Sequence, residues 1–171
     1  MGIVNAIHKL SDWVNQICAT LCTVTISAMV LVTGAQIVCR LYFSPLVWSE
    51  ELTRYLLVWS TFLGASCVYK KLGHINVTAI KDLFPPAVQT VLGVTAHLLC
   101  GGFFLVATWY GFKYMGLQAK QVSAAMLIPM PYIYVVIPVG CLIMTLHVAD
   151  ILLRLIPRSE AQPDPTQGGK Q

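Results

Sequence analysis

The sequence predicts an all-α integral membrane protein with four transmembrane helices and short amphipathic helices at the membrane surface. Hydrophobic residues make up 57% of the chain and charged residues 11%, whereas a soluble globular domain carries roughly 25% charged residues. The charges are also clustered, and they leave four long stretches uncharged. Because about 20 apolar residues suffice for a helix to cross the bilayer, these stretches predict that residues 1–155 form one membrane domain.

The first half of the chain supplies two of the predicted spans. The first covers about residues 13–39 and ends before Pro45, which cannot continue a helix because it lacks an amide hydrogen. Ahead of it, residues 1–12 place apolar side chains at helical spacing and predict a separate helix on the membrane surface. The second span covers about 48–71. Its uncharged part is short, but lysine and tryptophan side chains at its ends can reach the interface.

The second half supplies the other two spans, at about 87–112 and 132–154. Between the second and third spans, residues 74–84 form another amphipathic stretch, which a pair of prolines ends. Residues 156–171 are rich in proline, glutamine, glycine and charge, and they show no apolar periodicity. We therefore expect them to form a disordered cytoplasmic tail.

The lysines and arginines predict the orientation of the helices. With the N-terminus in the cytoplasm, seven of them fall on the cytoplasmic side and four on the outer side. The positive-inside rule therefore places both termini of this multi-pass chain in the cytoplasm. The net charge of +4 is scattered and forms no basic block, which excludes a nucleic-acid partner. The residues expected to meet membrane lipids at the surface are Arg40, Lys70, Lys71 and His74.

The densest cluster of unusual residues opens the second span. Glu50 and Glu51 are adjacent carboxylates at a helix start, where the positive end of the helix dipole stabilises them. Aromatic and apolar side chains recur along one stripe of this helix, and Ser60 with Gly64 forms a small-residue pair that lets another helix approach. The candidate contact residues for a partner are Trp48, Glu50, Glu51, Leu52, Arg54, Tyr55, Trp59 and Gly64.

Two interpretations of this cluster stay open. One is an interfacial belt with a solvated acidic end, and the other is a docking surface for another membrane protein. A third, an ion-carrying carboxylate, is disfavoured because both glutamates lie at the membrane edge, whereas a coupling site belongs near the midplane.

Two histidines supply an alternative function. His97 lies deep in the third span and His147 lies in the fourth, and ionisable residues inside a membrane are costly and commonly functional. Such a pair on facing helices can ligate a haem, as in the membrane anchor subunit of a redox complex. Their depths differ by roughly 5 Å at 1.5 Å per residue, so hydrogen bonds to neighbouring helices are favoured over haem.

The sequence shows no residues arranged for catalysis. No nucleophile–base pair, metal motif or glycine-rich phosphate loop is visible. The six cysteines form no Cys-x-x-Cys pair, so their spacing favours neither a zinc site nor a thioredoxin-type site. We therefore expect a protein that is not an enzyme and carries no catalytic residue, metal or cofactor of its own.

One segment carries a family resemblance. An arginine ends the first helix at Arg40, Trp-Ser-Glu-Glu opens the second at Trp48, and Arg-Tyr, a tryptophan and Gly-Ala follow within that helix. A basic pair at Lys70 then leads into His-Ile-Asn-Val from His74. This pattern resembles the small membrane subunit, of the four-helix Q type, of TRAP (tripartite ATP-independent periplasmic) transporters. The similarity covers about residues 1–155.

The resemblance implies a multi-pass subunit of a bacterial inner membrane. It would form a stable heterodimer with a large membrane subunit that holds the substrate and Na⁺ sites, and it would meet a periplasmic substrate-binding protein transiently. Transport would be sodium symport of organic acid anions, such as C4-dicarboxylates or sialic acids. The small subunit would bind neither substrate nor Na⁺, and would brace the static scaffold while a domain of its partner moves as an elevator.

Overall fold

Five α-helices make up most of the part of the chain that the structure describes. The structure is a computed structural model, and it describes residues 2–72 and 85–155. In these ranges no β-strand is present, and one isolated bridge joins Val122 to Pro129. The predicted all-α class is confirmed. The helices are α1 (Gly2–Tyr42), α2 (Val47–Leu72), α3 (Pro86–Leu117), α4 (Met130–Tyr134) and α5 (Val136–Leu155).

Helix α1 differs from the prediction at its start. It runs without a break from Gly2 to Tyr42, so the helix predicted over residues 1–12 is the first part of α1 rather than a separate element. The physical reason is that no proline precedes Pro45, and the polar residues near position 12 continue the helix instead of ending it. At 1.5 Å per residue α1 is about 60 Å long, which is about twice the thickness of the hydrocarbon core.

The boundaries of the next two helices agree with the prediction at three ends out of four. Helix α2 covers the predicted span 48–71 with one more residue at each end. Helix α3 starts one residue before the predicted span 87–112 but continues to Leu117. Lys113 ends the uncharged run without ending the helix, because its exposed side chain reaches solvent from a helical backbone. The amphipathic stretch 74–84 and the tail 156–171 lie outside the described residues.

The predicted fourth span 132–154 is divided between α4 and α5. The two helices are separated at Val135. Pro138 has no amide hydrogen to donate to the carbonyl of Tyr134, four residues earlier, so one bond of the helical ladder is missing at this point. The predicted single helix is therefore interrupted near its start, while its end is close to the expected position.

Helices α2 and α5 lie at the centre of the helix packing within the chain. Helix α1 packs along α2, and α5 packs against both α2 and α3. Two glycines allow close approach: a Cβ atom on Gly140 would lie 3.0 Å from Phe62 Cβ, and one on Gly111 would lie 3.1 Å from Pro138 Cβ. The buried hydrophobic side chains of α5 are Val136, Cys141, Met144, Val148 and Ile151.

Three helical segments are long and apolar enough to cross a membrane. They are Ala6–Tyr42, Val91–Leu117 and the combined segment Met130–Leu153. Large apolar side chains stay exposed along the first two, such as Leu31 at 73% and Leu99 at 71%. Soluble monomers rarely expose apolar surface of this extent. The chain is therefore a membrane protein, with three segments of spanning length in the part that the structure describes.

Candidate functional site

The residues predicted to contact a partner lie along α2, and the structure divides them into two groups. Trp48, Glu50 and Arg54 are exposed. The rest are half-buried by the chain's own helices, namely Glu51, Leu52, Tyr55, Trp59 and Gly64. Gly64 faces α1, since a Cβ atom on it would lie 3.5 Å from Cys22 Sγ. The small-residue pair on α2 thus accommodates α1, and the use of these residues by a partner stays a prediction.

The predicted stripe of aromatic and apolar side chains on α2 consists of Trp48, Leu52, Tyr55, Trp59 and Phe62, and all of these except Trp48 are half-buried. Trp59 lines a groove of about 260 Å³ that α1, α2 and α5 form together. The side chains lining this groove are all apolar apart from the cysteine, as expected for a packing defect between membrane helices. The stripe therefore contributes to packing inside the chain, and another face of α2 stays open.

The open face of α2 is a narrow row that we call the α2 outer stripe. Its members are exposed and follow one another every three or four residues, which places them on one side of the helix. Thr61 and Ala65 are small and four residues apart, a spacing that permits close helix–helix contact in lipid. The α2 outer stripe consists of Arg54, Leu57, Thr61, Ala65 and Val68.

Glu51 is bound by a loop of its own chain. Its Oε1 accepts hydrogen bonds from the Tyr55 hydroxyl at 2.7 Å and from the Ala124 amide at 3.1 Å. Its Oε2 accepts from the Ala125 amide at 2.9 Å and from the Met126 amide at 3.1 Å. Hydrogen bonds to an ionised carboxylate are stronger than neutral ones. We call this arrangement the Glu51 clasp, and the end of the molecule that contains it the Glu51 end.

The loop of the clasp is closed by its own backbone. The Ser123 amide donates to the Ile128 carbonyl at 2.9 Å, and the Met130 amide donates to the Gln121 carbonyl at 2.9 Å. Ser123 is fully buried. Its hydroxyl oxygen lies 3.2 Å from the Met126 amide and shares the hydrogen that this amide also donates to Glu51. The tip of the loop therefore points its amide hydrogens towards α2.

A second polar group lies at the opposite end of the helices, which we call the His147 end. His147 of α5 and Ser11 of α1 are both fully buried. The Ser11 hydroxyl is 2.9 Å from His147 Nδ1. His147 Nε2 is buried and has no hydrogen-bond partner among the described residues. The bond to Ser11 therefore fixes the orientation of the imidazole ring.

Further polar contacts surround this buried bond. His8 Nδ1 of α1 lies 3.4 Å from a carboxylate oxygen of Asp150, whose side chain is 6% exposed. Lys70 of α2 forms an ion pair with Asp12 of α1. The cluster thus joins the ends of α1, α2 and α5.

The basic residues predicted to meet the membrane surface occupy different surroundings. Arg40 is exposed in the last turn of α1, at the Glu51 end. Lys71 is exposed at the end of α2, whereas Lys70 is half-buried by its ion pair with Asp12. His74 lies outside the described residues.

The two histidines of the haem alternative bind different helices. His97 Nδ1 is 2.9 Å from the hydroxyl of Tyr69 on α2, and His147 Nδ1 binds Ser11 on α1. Within residues 2–72 and 85–155, no group of three or more histidine, cysteine or acidic side chains is arranged to hold a metal ion. Each of the two Nδ1 atoms is thus paired with a hydroxyl group of a neighbouring helix.

Sequence reasoning missed the His147 end apart from His147 and Lys70. A signal was present, because α1 carries His8, Ser11 and Asp12 on one helical face, while α5 carries His147 and Asp150 three residues apart. Polar patches of this kind on apolar helices favour contact with one another. The three backbone amides that bind Glu51 had no such signal, since backbone amides are present in every sequence.

Comparisons with known proteins find relatives among transporter permease proteins. The chain is 32% identical over 117 residues to the C4-dicarboxylate TRAP transporter small permease protein DctQ of Pseudomonas aeruginosa, covering 65% of this chain and 55% of the relative. It is 27% identical over 139 residues to the Sialic acid TRAP transporter permease protein SiaT of Haemophilus influenzae, covering 81% of this chain and 21% of the relative.

The chain therefore spans about half the length of the first of these relatives and about a fifth of the second. Residues 29–158 match the family of tripartite ATP-independent periplasmic transporters, DctQ component, and this range includes α2 to α5 and the Glu51 clasp. Because the match extends over most of the chain, this protein belongs to the DctQ-component family of TRAP transporters and is a transporter component.

Proposed function

We propose that this chain is the accessory small permease subunit of a sodium-driven importer of organic acid anions in a bacterial inner membrane. The observation that carries the proposal is the family match over residues 29–158. The relatives are named for C4-dicarboxylates and sialic acid, so carboxylate-bearing anions are the proposed substrate class. A periplasmic binding protein would deliver them, in keeping with the description of the family as periplasmic transporters.

The proposed partner is a large permease subunit in the same membrane. The sialic acid relative is a single permease protein, and this chain corresponds to only 21% of its length. The remaining length of that relative is the part for which this chain would need a separate partner. The small subunit would brace this partner while the partner moves the substrate and binds Na⁺.

The proposed topology has four spans, with α2 as the additional one and both termini in the cytoplasm. Helix α2 carries polar contacts at both ends, Glu51 in the clasp and Lys70 in its ion pair with Asp12. These two residues are about 29 Å apart at 1.5 Å per residue, close to the ~30 Å of the hydrocarbon core. The polar groups of α2 would thus lie at the two membrane surfaces.

The proposed docking face is the exposed side of α2, where Glu50 and Arg54 continue into the rest of the α2 outer stripe. Trp48 is also exposed, at the start of the helix, but on a different side from this stripe. In lipid, apolar burial gives little drive to association, so close packing and polar contacts have to hold two subunits together. Thr61 and Ala65 permit the close packing, while Glu50 and Arg54 supply charge at the membrane edge.

Co-purification with the large permease tests this docking face. Ala65→Phe places a large ring on the α2 outer stripe, and we expect it to weaken the complex by about 1–3 kcal/mol through overpacking. Ala96→Phe is the matched control, because Ala96 is also exposed but lies on α3. Full recovery of the complex with Ala65→Phe, together with its loss in Ala96→Phe, would move the docking face from α2 to α3.

A further inference from the structure

The Glu51 clasp joins parts of the chain that are far apart in sequence. Glu51 opens α2, whereas its amide donors belong to the loop between α3 and α4, more than 70 residues later. Tyr55 completes the ring of donors from the next turn of α2. Both carboxylate oxygens are thus engaged by groups of the chain itself.

We infer that Glu51 is a positioning residue whose carboxylate holds the 121–129 loop against α2, and that it serves uptake through the placement of this loop rather than by binding an ion or a substrate. The role in uptake rests on the proposed function, whereas the hold on the loop does not. Each oxygen accepts two hydrogen bonds, which is the usual capacity of a carboxylate oxygen. No lone pair remains for a cation in this geometry.

The loop needs a partner of this kind because its conformation is strained. Leu127 has a φ of 53°, in the left-handed region that a branched side chain rarely adopts. Such backbone persists only where surrounding contacts determine it. The backbone bonds of Ser123 and Met130 close the base of the loop, and Glu51 binds the three amides at its tip. Without the carboxylate the amides of Ala124 and Ala125 would lose this partner, and the Met126 amide would keep only its bond to the Ser123 hydroxyl.

The position of the loop determines where the last two helices begin. Pro129 is the N-cap of α4, and the side chain of Leu127, two residues before it, is 71% exposed at the Glu51 end. The clasp therefore links α2, which packs with α1, to the loop between α3 and α4. It lies at the same end of the molecule as Arg54 of the α2 outer stripe. A displaced loop would change this surface and the entry into α4.

The chemistry of the clasp requires a carboxylate. In Glu51→Gln the side chain keeps its size, but one oxygen becomes an NH₂ group that faces amide donors. In Glu51→Asp the side chain is one methylene shorter and withdraws from the loop. Neighbouring Glu50 is the matched control, because it is exposed and contacts Gln36 at 3.5 Å rather than the loop.

Amide hydrogen exchange on the full chain in detergent tests the hold on the loop. We expect the amides of residues 124–126 to exchange about ten- to a hundredfold faster in Glu51→Gln than in the wild type, with the α5 amides unchanged. Glu50→Gln should leave all of them unchanged. In Glu51→Gly, added acetate should slow exchange in this loop and chloride should not. Unchanged exchange at residues 124–126 in Glu51→Gln would overturn the clasp.

Sodium-dependent uptake by the assembled transporter tests the second half of the inference. We expect Glu51→Gln to lower the maximal uptake rate while the Na⁺ concentration for half-maximal uptake stays the same. A raised half-maximal Na⁺ concentration would show that Glu51 takes part in ion binding. Full uptake despite fast loop exchange would show that the loop position does not affect uptake. Either result would refute the role of Glu51 in uptake as a positioning residue. If wild-type transporter takes up no organic anion, the proposed function fails, while the exchange result still decides the clasp.

Discussion

Replacing Gly111 by alanine is expected to separate α3 from α5. A Cβ atom at this position would lie 3.1 Å from Pro138 Cβ, 3.2 Å from Pro138 Cδ and 3.3 Å from Pro138 N. The neighbour cannot rotate away, because these atoms belong to a closed ring and to the backbone. The helices therefore have to move apart by a few tenths of an ångström, and overpacking of this kind costs about 1–3 kcal/mol.

Gly102 on the same helix supplies the matched control. A Cβ atom on Gly102 would have no neighbour within 4 Å, so Gly102→Ala gains only the higher helix propensity of alanine, about 1 kcal/mol. The same gain applies to Gly111→Ala and cancels when the two variants are compared. Unfolding by sodium dodecyl sulfate in mixed micelles, followed by circular dichroism, gives the two free energies. We expect Gly111→Ala to be less stable than Gly102→Ala by about 1–3 kcal/mol; equal stabilities would contradict the packing of α3 on Pro138.

Three further predictions concern the ends of the helices. Ser11→Ala leaves buried His147 without its hydrogen bond and should lower the unfolding free energy by about 1–3 kcal/mol. Thr33→Ala removes an exposed hydrogen bond within α1 and should change the unfolding free energy little. Similar losses in both variants would refute the role of Ser11. Lys70→Met removes an ion pair whose Asp12 side is 53% exposed, so we expect a loss of at most about 1 kcal/mol that shrinks in high salt; a larger, salt-independent loss would contradict this. Reporter fusions at Gln171 should be active for a cytoplasmic reporter and silent for a periplasmic one, and the reverse pattern would refute the proposed orientation.

The positions of the helices could be predicted because charge and proline mark where an apolar helix meets the membrane surface or ends. Helix α2 agrees with its predicted span for this reason. The same markers failed where a polar residue stays inside a helix, as at Asp12 of α1 and Lys113 of α3. A charge near a helix end indicates the membrane surface, but it does not determine the residue at which the helix ends.

The candidate site was predictable only in part. The unusual character of Glu51 was visible in the sequence, but its binding partners are backbone amides of a distant loop, and these carry no residue signature. Gly64 was predicted to let another helix approach, but periodicity alone did not show that α1 is the helix that packs against it within the chain. Which face of a membrane helix is covered depends on tertiary packing, which hydropathy does not encode when all faces are apolar.

The proposed role of this chain is that of a necessary but accessory subunit, and reconstitution in proteoliposomes tests this role most directly. Under an inward Na⁺ gradient, with the periplasmic binding protein and a C4-dicarboxylate or sialic acid outside, vesicles that contain this chain together with the large permease should accumulate the anion. Vesicles that contain either membrane subunit alone should not. Sodium-driven accumulation by this chain alone would contradict its accessory role, and undiminished uptake by the large permease alone would contradict the need for it.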